Sequence, residues 1–517
     1  MILIRSILTV GSLTLGSRVF GFGRDILIAA VLGAGPLADA FFVAFRLPNM
    51  FRRLFAEGAF SAAFVPLFNR IAATDGPGAA ERFAEDALSV LLWALVVAVA
   101  LGQIAMPALM TVFAPGFLAA PDTFDLAVDL SRITFPYLLF VSLVSLLGGV
   151  LNSLGRFAAA AASPILLNLV LIGAIVGAAP FFPTPAHALA WGVAVAGIVQ
   201  LVGLVLACRA AGLALRLRMP RLNPNLKLLL RRILPLAVGA GVYQINLMVD
   251  VILGSFLPAG AISFLYFADR VNQLPLGVVG VAIGTALLPQ LSREIRAGHD
   301  GQASQNRALE LSLLLALPSA AALAVLAHPI IAVLFQRGRF GPVEAVLTAD
   351  ALAAFAWGLP AYVLVKTLSA GFFAREDTTT PVKIAGGALV ANIVLNLALI
   401  GPFQHVGIAA ATAASGWFNA LCLGVFLRRR GHLVADRQLI ARLPRIVAAT
   451  AGMTAVIVLA RYGLDGFMAG GTAARALGLA LLIAIGGGAY VGLAFLFKAT
   501  SRDDFRSLGR RTPSSPG

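Results

Sequence analysis

Runs of about twenty apolar residues, cut by short polar or turn-forming stretches, recur from one end of the chain to the other. A helix needs about 20 such residues to cross a bilayer core about 30 Å thick. With that ruler the chain divides into about fourteen helical spans: 5–33, 37–68, 84–113, 126–153, 159–180, 187–209, 227–256, 262–291, 306–334, 348–373, 380–400, 405–427, 442–462 and 472–497. The separators are turn-rich, as in Gly33-Ala34-Gly35-Pro36, Pro258-Ala259-Gly260 and Gly401-Pro402. The pattern predicts an all-α polytopic membrane protein with no soluble domain between spans.

Composition sharpens that picture. Of 517 residues, 60% are hydrophobic and 12% charged, against about 25% charged in soluble domains. So little charge excludes an ordinary soluble enzyme. With only Cys208 and Cys422 there is no disulfide framework and no CxxC motif. The net charge of +16 would suit nucleic acid, but no basic stretch with interleaved aromatics stands in a soluble domain. We expect no nucleic-acid partner. With the N-terminus inside, 27 of the 39 Lys and Arg fall on inside segments and eight within spans. The outside loops hold Arg337, Arg339, Arg461 and Arg475. This asymmetry predicts that both termini are cytoplasmic. The first span carries Arg18, Arg24 and Asp25 and lacks a small-residue cleavage site, so it reads as an uncleaved helix. The basic tail, 501–517, reads as a solvated cytoplasmic end.

The chain also repeats itself. Pro66 and Pro289, each ending a similar run, are 223 apart, while Arg46 and Arg270, and Asn168 and Asn392, are 224 apart. These offsets predict two six-helix lobes in parallel pseudo-repeat, 1–221 and 222–436, followed by two C-terminal helices in 437–500. Parallel repeats about an axis along the membrane normal are a transporter signature. The last two helices lie outside the repeat and offer a groove for a lipid tail.

Ionisable residues within spans are the strongest functional signal, because an Arg at a helix centre costs about 2.5–3.5 kcal/mol on insertion scales. The first span has Arg18, Arg24 and Asp25; the second has Asp39, Arg46, Asn49, Arg52, Arg53 and Glu57; the eighth has Ser263, Asp269, Arg270 and Gln273. Arg46, Asn49, Arg53 and Glu57 share one helix stripe. Six Arg stand against four acids, an excess that suits an anionic ligand, and the guanidinium fork grips phosphate oxygens in pairs. The alternative is that some of these Arg snorkel to an interface. Arg132 reads as a gate residue or an interfacial anchor, and Lys366 as half of a buried pair with an acid. Asp250, Asn392, Asn396 and Thr412 offer oxygens for sodium or, more commonly, interhelical hydrogen bonds. The five His are scattered and no GxxxxGK[ST] loop occurs, so an enzyme is not expected.

Ser17–Asp25 (SRVFGFGRD) and the stretch 38–68 closely resemble the MurJ/MviN lipid II flippase family. So do 131–140, 149–157, 261–293, FQRGRF at 335–340 and 371–385. The match runs in order over nearly the whole chain. The resemblance implies the helical fold of the multidrug/oligosaccharidyl-lipid/polysaccharide exporter superfamily and a bacterial inner membrane. It implies flipping of lipid II, the undecaprenyl-pyrophosphate-linked peptidoglycan precursor, from inner to outer leaflet. Its cavity residues correspond to Arg18, Arg24, Arg52 and Arg270, with Asp25, Asp39, Asn49 and Ser263 nearby. Arg46, Arg53, Glu57, Arg132, Asp269 and Gln273 are then gate or rim candidates. A sodium ion is implied at Asp250, Asn392, Asn396 and Thr412, although Asn396 stands where an acid is expected. Gln336 stands where the family usually has Glu.

The mechanism expected is alternating access between lobes, with pyrophosphate on the arginines. Sodium or the membrane potential would drive it, the latter worth about 2.3 kcal/mol per charge per 100 mV. Lipid II, membrane lipids and cell-wall synthesis machinery are the expected partners. A cation-coupled drug exporter of the same superfamily should have an acidic cavity. A flippase for another polyprenyl-pyrophosphate glycan would share the phosphate grip.

Overall fold

The computed structural model describes residues 2–52 and 59–500. Among them the regular structure is helical throughout. The first part of the chain forms α1 (Ile2–Leu32), α2 (Pro36–Arg52), α3 (Ala59–Thr74), α4 (Pro77–Ile104), α5 (Met106–Phe113), α6 (Pro121–Thr134), α7 (Tyr137–Ser153), α8 (Ala158–Gly173) and α9 (Pro185–Ala210). The remainder forms α10 (Pro224–Ser255), α11 (Ala261–Arg296), α12 (Gln302–Val325), α13 (Ala327–Phe335), α14 (Pro342–Phe373), α15 (Thr379–Arg429), α16 (Arg437–Met468) and α17 (Thr472–Leu496).

Nine helical stretches among the described residues are long and apolar enough to cross a membrane. Large apolar side chains point outward from them, including Ile104 at 79% exposure and Leu459 at 70%. Water would not tolerate that surface on this scale and lipid would, so the chain is a multi-pass membrane protein.

Prolines and caps mark the helix boundaries. The predicted span 84–113 is broken at Ala105, just before Pro107, and 126–153 is broken around Pro136. Proline lacks the N–H that would continue the ladder. The eleventh and twelfth predicted spans lie in one long helix, α15, kinked at Gln404, whose φ is 49°. The Asn223 side chain accepts the Leu226 N–H at 2.8 Å, and Asp436 accepts that of Leu439 at 2.7 Å. Each satisfies an orphan donor at the start of α10 or α16.

Two compact units emerge. The first takes in the chain up to Tyr266 together with Arg337–Glu344; the second holds Phe267–Gln336 and the chain from Ala345 onward. In the first, Phe60, Phe64 and Phe83 stack with centroids 5.2 and 5.4 Å apart. Small residues let helices close up: a Cβ at Gly197 in α9 would meet Tyr137 and Phe140 of α7 at 2.9 Å. In the second unit, Ile446, Met453 and Ile457 of α16 are buried with Leu482 of α17. Buried Glu310 of α12 accepts from both Arg307 and Arg442, and Arg307 also donates to Asp436 at 2.7 Å. This pins the start of α16 to α12.

Candidate functional site

The first unit builds its charged centre on α1. Gly21 and Gly23 precede Arg24 in the sequence, and Arg24 is almost wholly buried, at 3% exposure, beside Asp25 at 1%. Nε and Nη2 of Arg24 donate to Asp25 Oδ1 at 3.0 and 2.6 Å. Nη1 donates to Asn168 Oδ1 of α8 at 3.0 Å. Tyr266 in α11 donates its hydroxyl to Asp25 Oδ1 at 3.1 Å and lies 3.4 Å from Arg24 Nη2. Asn168 is itself oriented by donating to the Ser17 carbonyl at 3.1 Å. The Phe45 ring lies 5.9 Å from the guanidinium carbon, and Phe42 stacks on Tyr266 at 3.9 Å. Burying such a pair is costly, and the hydrogen bonds from Asn168, Tyr266 and the pair itself offset that cost.

Asp39 and Ser263 form a second constellation. Asp39, near the start of α2, accepts the Gly260 N–H at 2.6 Å and the Ser263 N–H at 2.8 Å, and the Ser263 hydroxyl donates to it at 2.6 Å. These amides open α11, so Asp39 is a cap supplied from another helix, set against the positive end of the α11 dipole. A few residues before Asp39, the end of α1 receives the segment Arg337–Glu344. The Arg339 N–H donates to the Ala30 carbonyl at 2.8 Å. Gly33 (φ 73°) and Gly338 (φ 59°) adopt left-handed backbone at this junction, and a Cβ on Gly33 would come within 2.8 Å of the Arg339 carbonyl. The FQRGRF motif thus serves to close the α1 turn.

The other predicted residues are dispersed. Arg18 is exposed and Arg46 half-buried. Asn49 donates to the Phe45 carbonyl of its own helix at 2.8 Å. Arg53 and Glu57 lie outside the described residues, as does the side chain of Arg52. Arg132 is exposed, and its carbonyl accepts from Gln103 at 2.7 Å. Asp250 sits half-buried in α10 of the first unit.

In the second unit, Arg270 is half-buried on α11, and Gln273 donates to Asp269 one turn away. Lys366 of α14 lies along α11 where Gly280 leaves room: a Cβ there would meet its Nζ at 2.8 Å. Asn392 is fully buried and donates to Thr412 Oγ1 at 3.3 Å and Ser415 Oγ at 3.4 Å, while Asn396 donates to Asn392 Oδ1 at 2.9 Å. The described residues contain no group of three His, Cys, Asp or Glu placed to hold a metal ion.

Sequence reasoning missed Tyr266, Asn168 and Ser415 as partners in these clusters. Tyr266 stands one turn before Arg270 and Ser415 three residues after Thr412, so helical periodicity carried the signal. In the sequence Asn168 stands out only by its 224-residue offset from Asn392.

A profile of the lipid II flippase MurJ family matches residues 28–473. The chain belongs to that family. It is 45% identical over 525 residues to a Rhizobium tropici protein described as a probable lipid II flippase MurJ, covering 99% of this chain and 98% of the relative. It resembles a solved lipid II flippase MurJ in an inward closed conformation with a TM-score of 0.81 at 25% identity, over 97% of this chain and 100% of that one. An inward-facing multidrug transporter of the MATE family shares the fold, at a TM-score of 0.64 and 13% identity over 82% of this chain and 97% of its own. MurJ proteins are transporters, so the family assignment agrees with the lack of an expected catalytic constellation in the sequence.

Proposed function

We propose that this chain is a lipid II flippase of the bacterial inner membrane, moving the precursor from the inner to the outer leaflet by alternating access. The observation that carries the finer mechanism is the buried Arg24–Asp25 pair with Asn168 and Tyr266 around it. The guanidinium is neutralised by an acid on its own helix. A pyrophosphate, bringing about two negative charges, would compete with Asp25 for the same N–H donors through the bidentate geometry that phosphate favours. Arg18, Arg52 and Arg270 supply the further cations in this reading, and Asn49 a neutral donor. Arg46, Asp269 and Gln273 are gate or rim candidates in this reading.

Asp39 takes a different role. Its three hydrogen bonds to Gly260 and Ser263 support a latch that holds α2 to α11 at the end the charge asymmetry assigns to the outside. Outward opening would break those bonds, and the binding energy of the headgroup would offset them. The lipid tail stays in apolar surroundings, since each CH₂ moved out of them costs about 0.8 kcal/mol. An open apolar groove of about 670 Å³, lined by Leu317, Val447, Thr450, Thr454, Val458 and Leu459, supports a tail path beside α16. Asn392 accepts from Asn396 and donates across the kink of α15 to Thr412 and Ser415, which supports a role in joining its two halves; the membrane potential is then the driving force we favour over sodium.

The test is to deplete the resident lipid II flippase in a bacterium and express this chain, wild type or with Arg24→Ala plus Arg270→Ala. The readout is the lipid II reached by an external, membrane-impermeant enzyme. Exposure restored by the wild type and lost in a well-expressed double variant is the expected result. Restoration by both keeps the function and overturns the arginine site. A correctly inserted wild type that restores nothing overturns lipid II as the substrate.

A further inference from the structure

Between α9 and α10 the chain leaves helical structure over 213–223. This connector is clamped to α4. The Arg216 N–H donates to Glu85 Oε1 at 3.0 Å, and the Arg218 N–H to Ser89 Oγ at 2.9 Å. Arg218 Nε also pairs with Glu85 Oε2 at 2.6 Å, and Asn223 Nδ2 donates to Asp86 Oδ2 at 2.7 Å. Glu85 is buried at 7% exposure and Ser89 at 0%. A buried carboxylate is costly unless it is matched, so the placement of the strap is specified by α4 rather than left to a solvated loop.

The clamp also sets its depth. Glu85 and Asp86 are the last charges of α4 before residues 87–104, which carry no Asp, Glu, Lys or Arg. The strap is therefore tied to α4 where that helix passes from charged to apolar, at the level of a bilayer interface. Along it, hydrophobic and basic residues alternate. Leu213 is buried and Leu215 packs on the same core, but Leu217, Met219 and Leu222 are 64%, 78% and 58% exposed. Arg216, Arg218 and Arg221 stand between them, and from 209 to 232 the chain carries seven Lys and Arg and no acid.

We propose that the 216–222 strap is a binding site for anionic phospholipid headgroups, with Leu217, Met219 and Leu222 inserted at the headgroup–acyl boundary and Arg216 and Arg221 on the phosphates. Apolar insertion and attraction to anionic lipid reinforce one another at such a depth, where neither alone binds strongly. A merely solvated basic loop would have no use for three exposed large apolar side chains. A neutral lipid surface would have no use for the arginines. The site is separate from the Arg24 cluster and does not depend on which lipid is flipped.

The test uses the full chain in nanodiscs carrying either brominated phosphatidylglycerol or brominated phosphatidylcholine at equal fraction. Met219→Trp reports depth and lipid class by quenching, with the signal of the four native Trp taken from wild type. Leu222→Trp is a second reporter should the first disturb assembly. We expect quenching by both lipids and at least about twofold more by the anionic one, a preference that shrinks with salt. Adding Arg216→Gln and Arg221→Gln should bring the two lipids to parity while phosphatidylcholine still quenches. Absence of quenching by either lipid overturns insertion. Equal quenching in the charged protein, or a preference that survives neutralisation, overturns the headgroup site.

Discussion

Two buried asparagines, 224 residues apart, carry different loads. Asn168 in the first unit accepts from a guanidinium and stands next to a full ion pair. Asn392 in the second donates to two hydroxyls and accepts from another amide. Both side chains are buried, at 5% and 0% exposure. Their surroundings differ by a whole charge pair. Buried ions are far costlier than buried amides, so the first cluster needs a return that the second does not. The buried ion pair thus stands in the first unit, and the amide–hydroxyl cluster in the second.

The strongest way to break this comparison is to remove Arg24. Arg24→Ala leaves Asp25 buried and unpaired, which should cost about 3–5 kcal/mol and abolish lipid II exposure. Melting of the purified protein and the external-enzyme assay check the two effects. Adding Asp25→Asn should recover most of the stability and none of the flipping. If flipping returns as well, Arg24 is structural.

Asn168→Leu and Asn392→Leu sharpen the contrast directly. Each removes hydrogen bonds worth about 1–3 kcal/mol, the larger figure applying where the partner is charged. We expect Asn168→Leu to reduce flipping about tenfold or more, and Asn392→Leu to lower the melting temperature with flipping within about twofold. Similar losses of flipping in both would make the two clusters equivalent.

Asp39→Asn tests the latch with a smaller effect. It keeps the shape and removes the charge from a helix N-terminus, for about 1 kcal/mol. Outward opening should become easier, seen as faster labelling of a cysteine placed at Ser263 neighbours such as Ala261 by an external, impermeant thiol reagent. Unchanged labelling would place the closure elsewhere.

The smallest effect belongs to the helix that carries Asn392. Asp377 accepts the Thr380 N–H in the first turn of α15 at 3.0 Å and is paired with Arg430. The Thr380 backbone, then its hydroxyl and Arg430, hold the Asp377 carboxyl well below the usual carboxylate range. A depressed pKa means that its contribution is complete above the unfolded value near about 4 and is lost as pH falls toward the folded value. Asp377→Asn should therefore lower stability at pH 7 by about 1 kcal/mol or less. Its difference from wild type should narrow only below about pH 4, measured by thermal melts across acid pH. A difference that narrows between pH 5 and 7 would point to another group.

Much of this was legible from one dimension of the molecule. Hydrophobic run length marks helices in lipid because every backbone group must be satisfied within the segment, and the regular structure of the described residues is helical. Arg24 and Asp25 stood out because charge within an apolar run is expensive. Helix breaks were legible where proline stood, as at Pro107 and Pro136, but the kink at Gln404 had only the nearby Gly401-Pro402 as a hint. The role of Asp39 was not legible. Within an apolar span it is a candidate for the ligand cavity, and only the structure shows that it also accepts from the start of a helix more than 220 residues away in sequence.

What the sequence determined by itself was local: run lengths, charge asymmetry, the repeat and the family motif. Each depends on neighbours along the chain or on transfer between water and lipid, and both are properties of composition and spacing. Tertiary structure alone decided which polar groups meet. Arg24 could have paired with any acid within its reach, and Tyr266 and Asn168 could have bonded elsewhere. A hydrogen bond is short and directional, so partners far apart in sequence are chosen only when packing brings their helices into one register.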